Sequence, residues 1–206
     1  MASTMMHLYA AREAARLASF QGDAAQYYLG AIAPDSVNVD GFADKQTRWR
    51  AHQRQEHIPD WYRSVAAFYR RSDRGDLALG YCVHCMTDAA YDLLFGDLVW
   101  EGRKASALED VHGVGVGWDD CYRFDFTQRD ASWWTQEVRP LLQAARPADV
   151  GPVPAELLGR FQAEVLQRYL QGLRAGDPLV VSAHLVEALG REVYLLLREH
   201  GIGVKA

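Results

Sequence analysis

A histidine and an aspartate one helical turn apart are the most informative residues of this chain. His84 and Asp88 lie in the segment GYCVHCMTDAAYDLLF, residues 80–95. At about 100° per residue, their side chains project within about 40° of each other on a helix. Imidazole and carboxylate groups placed in this way can bind one divalent cation. The pair is therefore a candidate metal site.

The rest of the polar stripe on this segment has an unusual composition. Tyr81, Tyr91 and Asp92 project on the same side as His84. The stripe holds no Lys, Arg, Glu or Gln, which are the usual residues of a water-facing helix surface. A solvated face is the ordinary interpretation of a polar stripe, but this composition favours a buried site in which carboxylates need a cation or hydrogen bonds. The two tyrosines and Asp92 are candidates for contacts with the ligands or with a substrate.

Three further residues are candidate ligands. His7 projects on the small-residue face of a helix predicted over residues 4–20, where it is either a core histidine or a ligand. Asp35 follows a proline in a turn-forming segment, where it either caps a helix or faces a metal. His52 is surrounded in sequence by arginines on a predicted helix, so taken alone it looks solvated.

Helical periodicity dominates the chain and predicts an all-α fold, with residues 1–206 forming one domain. No alternating apolar segments flank a turn as a β-hairpin would require. The predicted helices cover residues 4–20, 22–30, 45–55, 59–72, 75–98, 121–146, 154–174 and 178–200. The segments 33–44, 112–120 and 146–154 are predicted loops because they concentrate Pro, Gly, Asp and Asn.

Composition excludes several classes of function. The chain has 206 residues, a net charge of −5 and no basic run that would bind a nucleic acid or an anionic membrane. No apolar run approaches the roughly 18 residues of a membrane span, and the N-terminus lacks the pattern of a signal peptide. The three cysteines are too few for a disulfide framework. We predict a cytoplasmic protein with a small-molecule substrate, and the sequence leaves its oligomeric state open.

Several segments resemble the bacterial zinc-dependent phospholipase C family, whose all-helical fold is shared with zinc-dependent single-strand nucleases. They are HLYAA at 7–11, YYLGAIAPDSV at 27–37, a histidine 17 residues after Asp35, and LGYCVHCMTDAAYD at 79–92. The segment YRFDFTQRD at 122–130, with Asp125 and Asp130, resembles a motif of uncharacterised members. The resemblance implies a one- or two-metal centre. Asp35, His52, His84 and Asp88 would hold one metal, and Asp88 would bridge to a second metal held partly by His7.

These observations predict a metal-dependent hydrolase, with a phosphoester as the substrate. Bound water would be activated by the metal, and Asp35 is the candidate general base. Zinc is the expected metal, although His and Asp ligands also accept manganese or iron. The alternative is a non-catalytic helical protein that keeps the metal as a structural or ligand-binding site, and a third hypothesis has no metal. An open coordination position and a pocket favour the enzyme, whereas a closed shell of four protein ligands favours the alternative.

Overall fold

Helices form all of the long regular elements of the chain. The computed structural model describes residues 2–106, 115–171 and 176–203, and no β-strand occurs within these ranges. The predicted all-α fold is confirmed. The helices are α1 (Thr4–Leu17), α2 (Ala24–Gly30), α3 (Lys45–Ala51), α4 (Ile58–Arg71), α5 (Asp76–Leu94), α6 (Gly96–Lys104), α7 (Val116–Gln128), α8 (Arg139–Ala144), α9 (Ala155–Gln171) and α10 (Ala183–Glu199). A 3-10 helix covers Ala33–Asn38, and a π-helical turn covers Trp133–Val138.

Helix α5 lies in the middle of the bundle and packs against α1, α2, α4 and α10. Every residue from Gly80 to Tyr91 is buried. A helix that is surrounded by protein cannot place long charged side chains in water, which explains the composition of its polar stripe. Within the part of the chain that the structure describes, no helix is long and apolar enough to cross a membrane.

Two glycines bring α2 and α5 into backbone contact. A Cβ atom added to Gly80 would lie 1.9 Å from the carbonyl oxygen of Tyr27, and one added to Gly30 would lie 2.2 Å from that of Leu77. Only glycine therefore permits this approach. The contact brings Ala31, at the end of α2, next to His84 of α5, where the two form a hydrogen bond.

The predicted helix over residues 121–146 is wrong as a single element. Helix α7 ends at Gln128, and the π-helical turn and α8 follow a short break. Pro140, in the first turn of α8, has no N–H to continue a regular helix from the preceding turn. The predicted loop over 112–120 is also wrong in part, because α7 begins at Val116, while residues 107–114 of that segment lie outside the described residues.

Other boundaries also differ from the prediction. Helix α1 ends at Leu17 and α3 at Ala51, and the predicted loop over 33–44 contains the 3-10 helix Ala33–Asn38.

The helix predicted over 75–98 ends at Leu94 because Phe95, with φ of −127° and ψ of −20°, leaves the helical conformation, and α6 then begins at Gly96. The helix predicted over 178–200 begins at Ala183 because the hydroxyl of Ser182 accepts a hydrogen bond from the amide of Leu185 and caps the helix there.

The contact between α2 and α5 can be tested with alanine substitutions. We expect Gly80→Ala to lower the free energy of unfolding by about 3 kcal/mol, the upper end of the range for overpacking, because the added methyl group meets backbone atoms that cannot rotate away. Urea denaturation measures this change.

Gly96→Ala is the matched control, because its new Cβ atom would lie no closer than 3.6 Å to another heavy atom. We expect Gly96→Ala to leave stability unchanged or slightly raised. Equal stability of the two variants would contradict the close contact.

Candidate metal centre

Five side chains from four segments meet in the interior. His7 comes from α1, Asp35 from the 3-10 helix, and His52 from the residue that ends α3, while His84 and Asp88 come from α5. The three histidines and Asp88 are at most 1% exposed. The Asp35 side chain is 18% exposed, so it forms the edge of the cluster nearest to solvent.

Asp88 is the centre of this cluster. Its Oδ1 atom lies 3.4 Å from Nε2 of His7, and its Oδ2 atom lies 3.5 Å from Nε2 of His52. The same Oδ2 atom is 3.7 Å from Nε2 of His84, and Oδ1 of Asp35 is 3.3 Å from Nε2 of His52. The two carboxylate oxygens of Asp88 therefore face different histidines, as expected of a carboxylate that bridges two positions.

Backbone carbonyls orient two of the imidazole rings. Nδ1 of His84 lies 2.8 Å from the carbonyl oxygen of Ala31, and Nδ1 of His52 lies 2.8 Å from that of Arg48. Because a carbonyl oxygen can only accept a hydrogen bond, Nδ1 carries the hydrogen in both rings. Metal-binding histidines are commonly held in this way.

In its neutral form, a ring with its hydrogen on Nδ1 has its lone pair on Nε2, which in His84 faces Asp88. Nε2 of His52 instead forms a hydrogen bond of 3.3 Å with Oδ1 of Asp35. Burial alone would lower the pKa of His52, but this bond helps to raise it.

Several polar atoms of the cluster have no hydrogen-bond partner among the described residues. They are Oδ2 of Asp88, Nε2 of His84 and both ring nitrogens of His7. Leaving a buried polar atom unpaired costs about 1–3 kcal/mol, so a set of such atoms in one place needs an explanation.

The spacing of the cluster fits a divalent cation. The nitrogen–oxygen separations run from 3.3 to 3.7 Å, and the shortest, between His52 and Asp35, is a hydrogen bond. All of them exceed the usual hydrogen-bond length of about 2.9–3.0 Å. Ligands at about 2.0–2.2 Å from a tetrahedral metal ion are separated from one another by about 3.3–3.6 Å. Ligand atoms of His52, His84 and Asp88 all lie within 4.8 Å of one another, as do those of His7, Asp35 and His84.

Burial and neighbouring charges set the protonation of these groups. Burial lowers the pKa of His84 to about 3, and the adjacent His7 adds to this effect. Burial alone would raise the pKa of Asp88, but the histidines, His7 foremost, outweigh it and hold that pKa well below its usual range. Burial alone would also raise the pKa of Asp35, but His84 and His52 outweigh this effect and lower that pKa. The carboxylates are therefore ionised and His84 is neutral at pH 7, which are the forms that bind cations.

The beginning of α1 is fixed around His7. Oδ1 of Asp125 accepts hydrogen bonds from the hydroxyl of Ser3, at 2.6 Å, and from the amide of Met5, at 3.1 Å. The amide of Ala2 donates to Oδ1 of Asp88 at 2.8 Å. The ring of His7 stacks on His84, with centroids 3.6 Å apart. Asp125 therefore acts on the cluster through the position of α1.

The other predicted site residues have different surroundings. The hydroxyl of Tyr91 lies 3.5 Å from Sγ of Cys121. Asp92 forms an ion pair with Arg54 at 2.8 Å. The Asp130 side chain is 78% exposed and pairs with its neighbour Arg129, so the structure does not bring it to the cluster. The hydroxyl of Tyr81 donates to the carbonyl of Ala51, beside His52.

The local sequence predicted a solvated His52, and this prediction is wrong. Helix α3 ends at Ala51, and His52 turns into the core, where it is 1% exposed. The indole of Trp61 donates to its carbonyl oxygen. Sequence reasoning also missed the carbonyls of Ala31 and Arg48, because backbone groups leave no signal in residue types.

No family model, curated protein or solved structure matches the chain. The resemblance to zinc-dependent phospholipases therefore stays a prediction, and the function has to be argued from the cluster itself.

The depressed pKa of His84 makes the metal-free protein sensitive to mild acid. Below pH 6.5 the unfolded chain takes up a proton at this position, but the folded protein does not do so until about pH 3. Stability therefore falls as the pH falls. His52, with a raised pKa, contributes a constant amount below pH 6.5, and the lowered pKa values of the aspartates matter only below about pH 3.8. We expect chelator-treated protein to lose about 1–2 kcal/mol of unfolding free energy between pH 6.5 and 5.0.

Urea denaturation at the two pH values measures this loss, with His84→Gln as the control. Because glutamine does not titrate, the variant should lose much less stability over the same interval. An equal loss in both proteins would show that His84 does not hold its neutral form in the folded state.

Proposed function

We propose that this protein is a divalent-metal-dependent hydrolase of a small phosphoester. The observation that carries the proposal is the buried set of unpaired nitrogen and oxygen atoms around Asp88. Asp35, His52, His84 and Asp88 would hold one metal ion, and His7 with Oδ1 of Asp88 would contribute to a second position. Nitrogen and carboxylate ligands suit zinc, and they also suit manganese or iron.

A bound divalent metal would lower the pKa of a coordinated water and supply a hydroxide nucleophile near neutral pH. Asp35 is the general base in this proposal. It is the most exposed of the five residues, and its carboxyl group is ionised at pH 7. The phosphoester as substrate is supported by the resemblance of residues 7–11, 27–37 and 79–92 to zinc-dependent phospholipases.

A non-catalytic metal site is the second candidate. The near-complete burial of the three histidines and Asp88 favours it, because structural sites have closed shells of protein ligands. Such a site would bind metal and stabilise the fold, but it would leave no position for a reacting water.

Aspartate-to-asparagine variants separate these functions. The protein is stripped of metal, reloaded with zinc, manganese or ferrous iron, and assayed with a chromogenic phosphomonoester and a chromogenic phosphodiester. We expect Asp88→Asn to lose both bound metal and hydrolysis, because it removes the charge that faces three histidines. Asp35→Asn should retain most of the metal but lose at least about 100-fold in kcat, within the usual range for a general base.

Asp130→Asn is the matched control, because Asp130 is exposed and lies away from the cluster. It should keep wild-type metal content and activity. Stoichiometric metal without hydrolysis of either ester would favour the structural site, and a protein that binds none of the three metals would refute both candidates.

A further inference from the structure

The C-terminal end of α3 is tied to the core on both sides of His52. The hydroxyl of Tyr81 donates to the carbonyl oxygen of Ala51, and the indole nitrogen of Trp61 donates to the carbonyl oxygen of His52 at 2.7 Å. Both aromatic side chains are fully buried. Carbonyls at a helix end lack partners within the helix, so these two bonds fix the backbone that carries His52.

The residue after His52 has an unusual backbone conformation. Gln53 has φ of +52°, in the left-handed region that favours glycine. Its amide donates to the carbonyl of Arg50, and the amide of Arg54 donates to that of Trp49. This is the hydrogen-bond pattern of a Schellman motif, in which glycine usually occupies the left-handed position.

The side chain of Gln53 explains why a non-glycine residue is useful at this position. Its amide nitrogen donates to the hydroxyl of Tyr81 at 3.2 Å, while that hydroxyl donates to Ala51. The glutamine therefore orients the Tyr81 hydroxyl toward the end of α3. Left-handed backbone also occurs at Ser19 and Arg74. It is therefore the bond to Tyr81 that distinguishes Gln53.

Tyr81 also connects the two parts of the cluster. It lies on α5 three residues before His84 and seven before Asp88. Its bond to Ala51 therefore sets how far His52 lies from the two ligands on α5. Nε2 of His52 lies 3.5 Å from Oδ2 of Asp88.

We infer that Tyr81 and Gln53 are positioning residues of the metal centre, which hold His52 at ligand distance from His84 and Asp88. The inference rests on the proposed metal binding, and it adds an explanation of how the ligand His52 is oriented. Both residues act through His52 and contact no metal themselves.

Tyr81→Phe tests this role, because it removes only the hydroxyl group. We expect its affinity for zinc, measured by competition with a chelating dye, to fall about 10- to 100-fold, as for other residues that orient metal ligands. The visible absorption bands of the cobalt-substituted protein should also shift, because His52 would leave its ligand position.

Tyr27→Phe is the matched control. Tyr27 is also buried and its hydroxyl donates to a helix carbonyl, that of Ala11 in α1 at 2.9 Å, rather than to the end of α3. Loss of the Tyr27 hydroxyl should lower the melting temperature of the chelator-treated protein about as much as Tyr81→Phe does. Zinc affinity and the cobalt spectrum should stay unchanged.

Gln53→Gly keeps the test decisive if Tyr81→Phe fails to fold. Glycine relieves the left-handed backbone but removes the bond to Tyr81. The melting temperature of the metal-free protein should therefore stay the same or rise, while zinc affinity falls. A merely structural role predicts that both quantities change in the same direction.

The outcomes separate this inference from the proposed function. A wild-type protein that binds no zinc or cobalt would overturn both. If the wild type binds metal, and the folded Tyr81 and Gln53 variants bind it as tightly with an unchanged cobalt spectrum, the positioning role is wrong and the metal site stands.

Discussion

A carboxylate buried away from water must be compensated, and this requirement organises the interior of the protein. Asp88 is completely buried and faces three imidazole rings. Its backbone partner, the amide of Ala2, satisfies only one of its oxygens. The rings of His52 and His84 use Nδ1 to donate to backbone carbonyls, so in their neutral form they direct lone pairs toward the carboxylate. A divalent cation among these atoms would relieve the repulsion and would pair Oδ2 of Asp88 and Nε2 of His84, which have no hydrogen-bond partner among the described residues.

Contacts between the surrounding helices hold the cluster around Asp88 in place. Gly30 and Gly80 let α2 touch α5, and this contact gives His84 a carbonyl acceptor. Asp125 fixes the first turn of α1 and with it the approach of His7. The glycine contact and the Asp125 hydrogen bonds both fix backbone atoms. These atoms have few alternative conformations once the helices are packed. The cluster is therefore held from several helices rather than from one mobile loop.

Part of this structure could be predicted from the sequence. Helical periodicity predicted an all-α fold, and the lack of long charged side chains around His84 indicated that its helix was surrounded by protein. The burial of His52 could not be predicted from its arginine-rich neighbourhood, because it depends on where α3 ends. That end is decided by a left-handed Gln53 and by tertiary bonds from Trp61 and Tyr81. Similarly, helical periodicity predicted a single helix over residues 121–146. In the structure α7 ends at Gln128, and a π-helical turn precedes α8.

The central claim is that the cluster around Asp88 binds a divalent metal. The most direct test is the metal content, by mass spectrometry, of protein expressed without added metal and purified without chelator, together with thermal melts with and without chelator. We expect at least about one equivalent of divalent metal per chain and a melting temperature that falls when the metal is removed. Metal-free protein whose melting temperature does not respond to chelator or to added zinc, manganese or iron would contradict it.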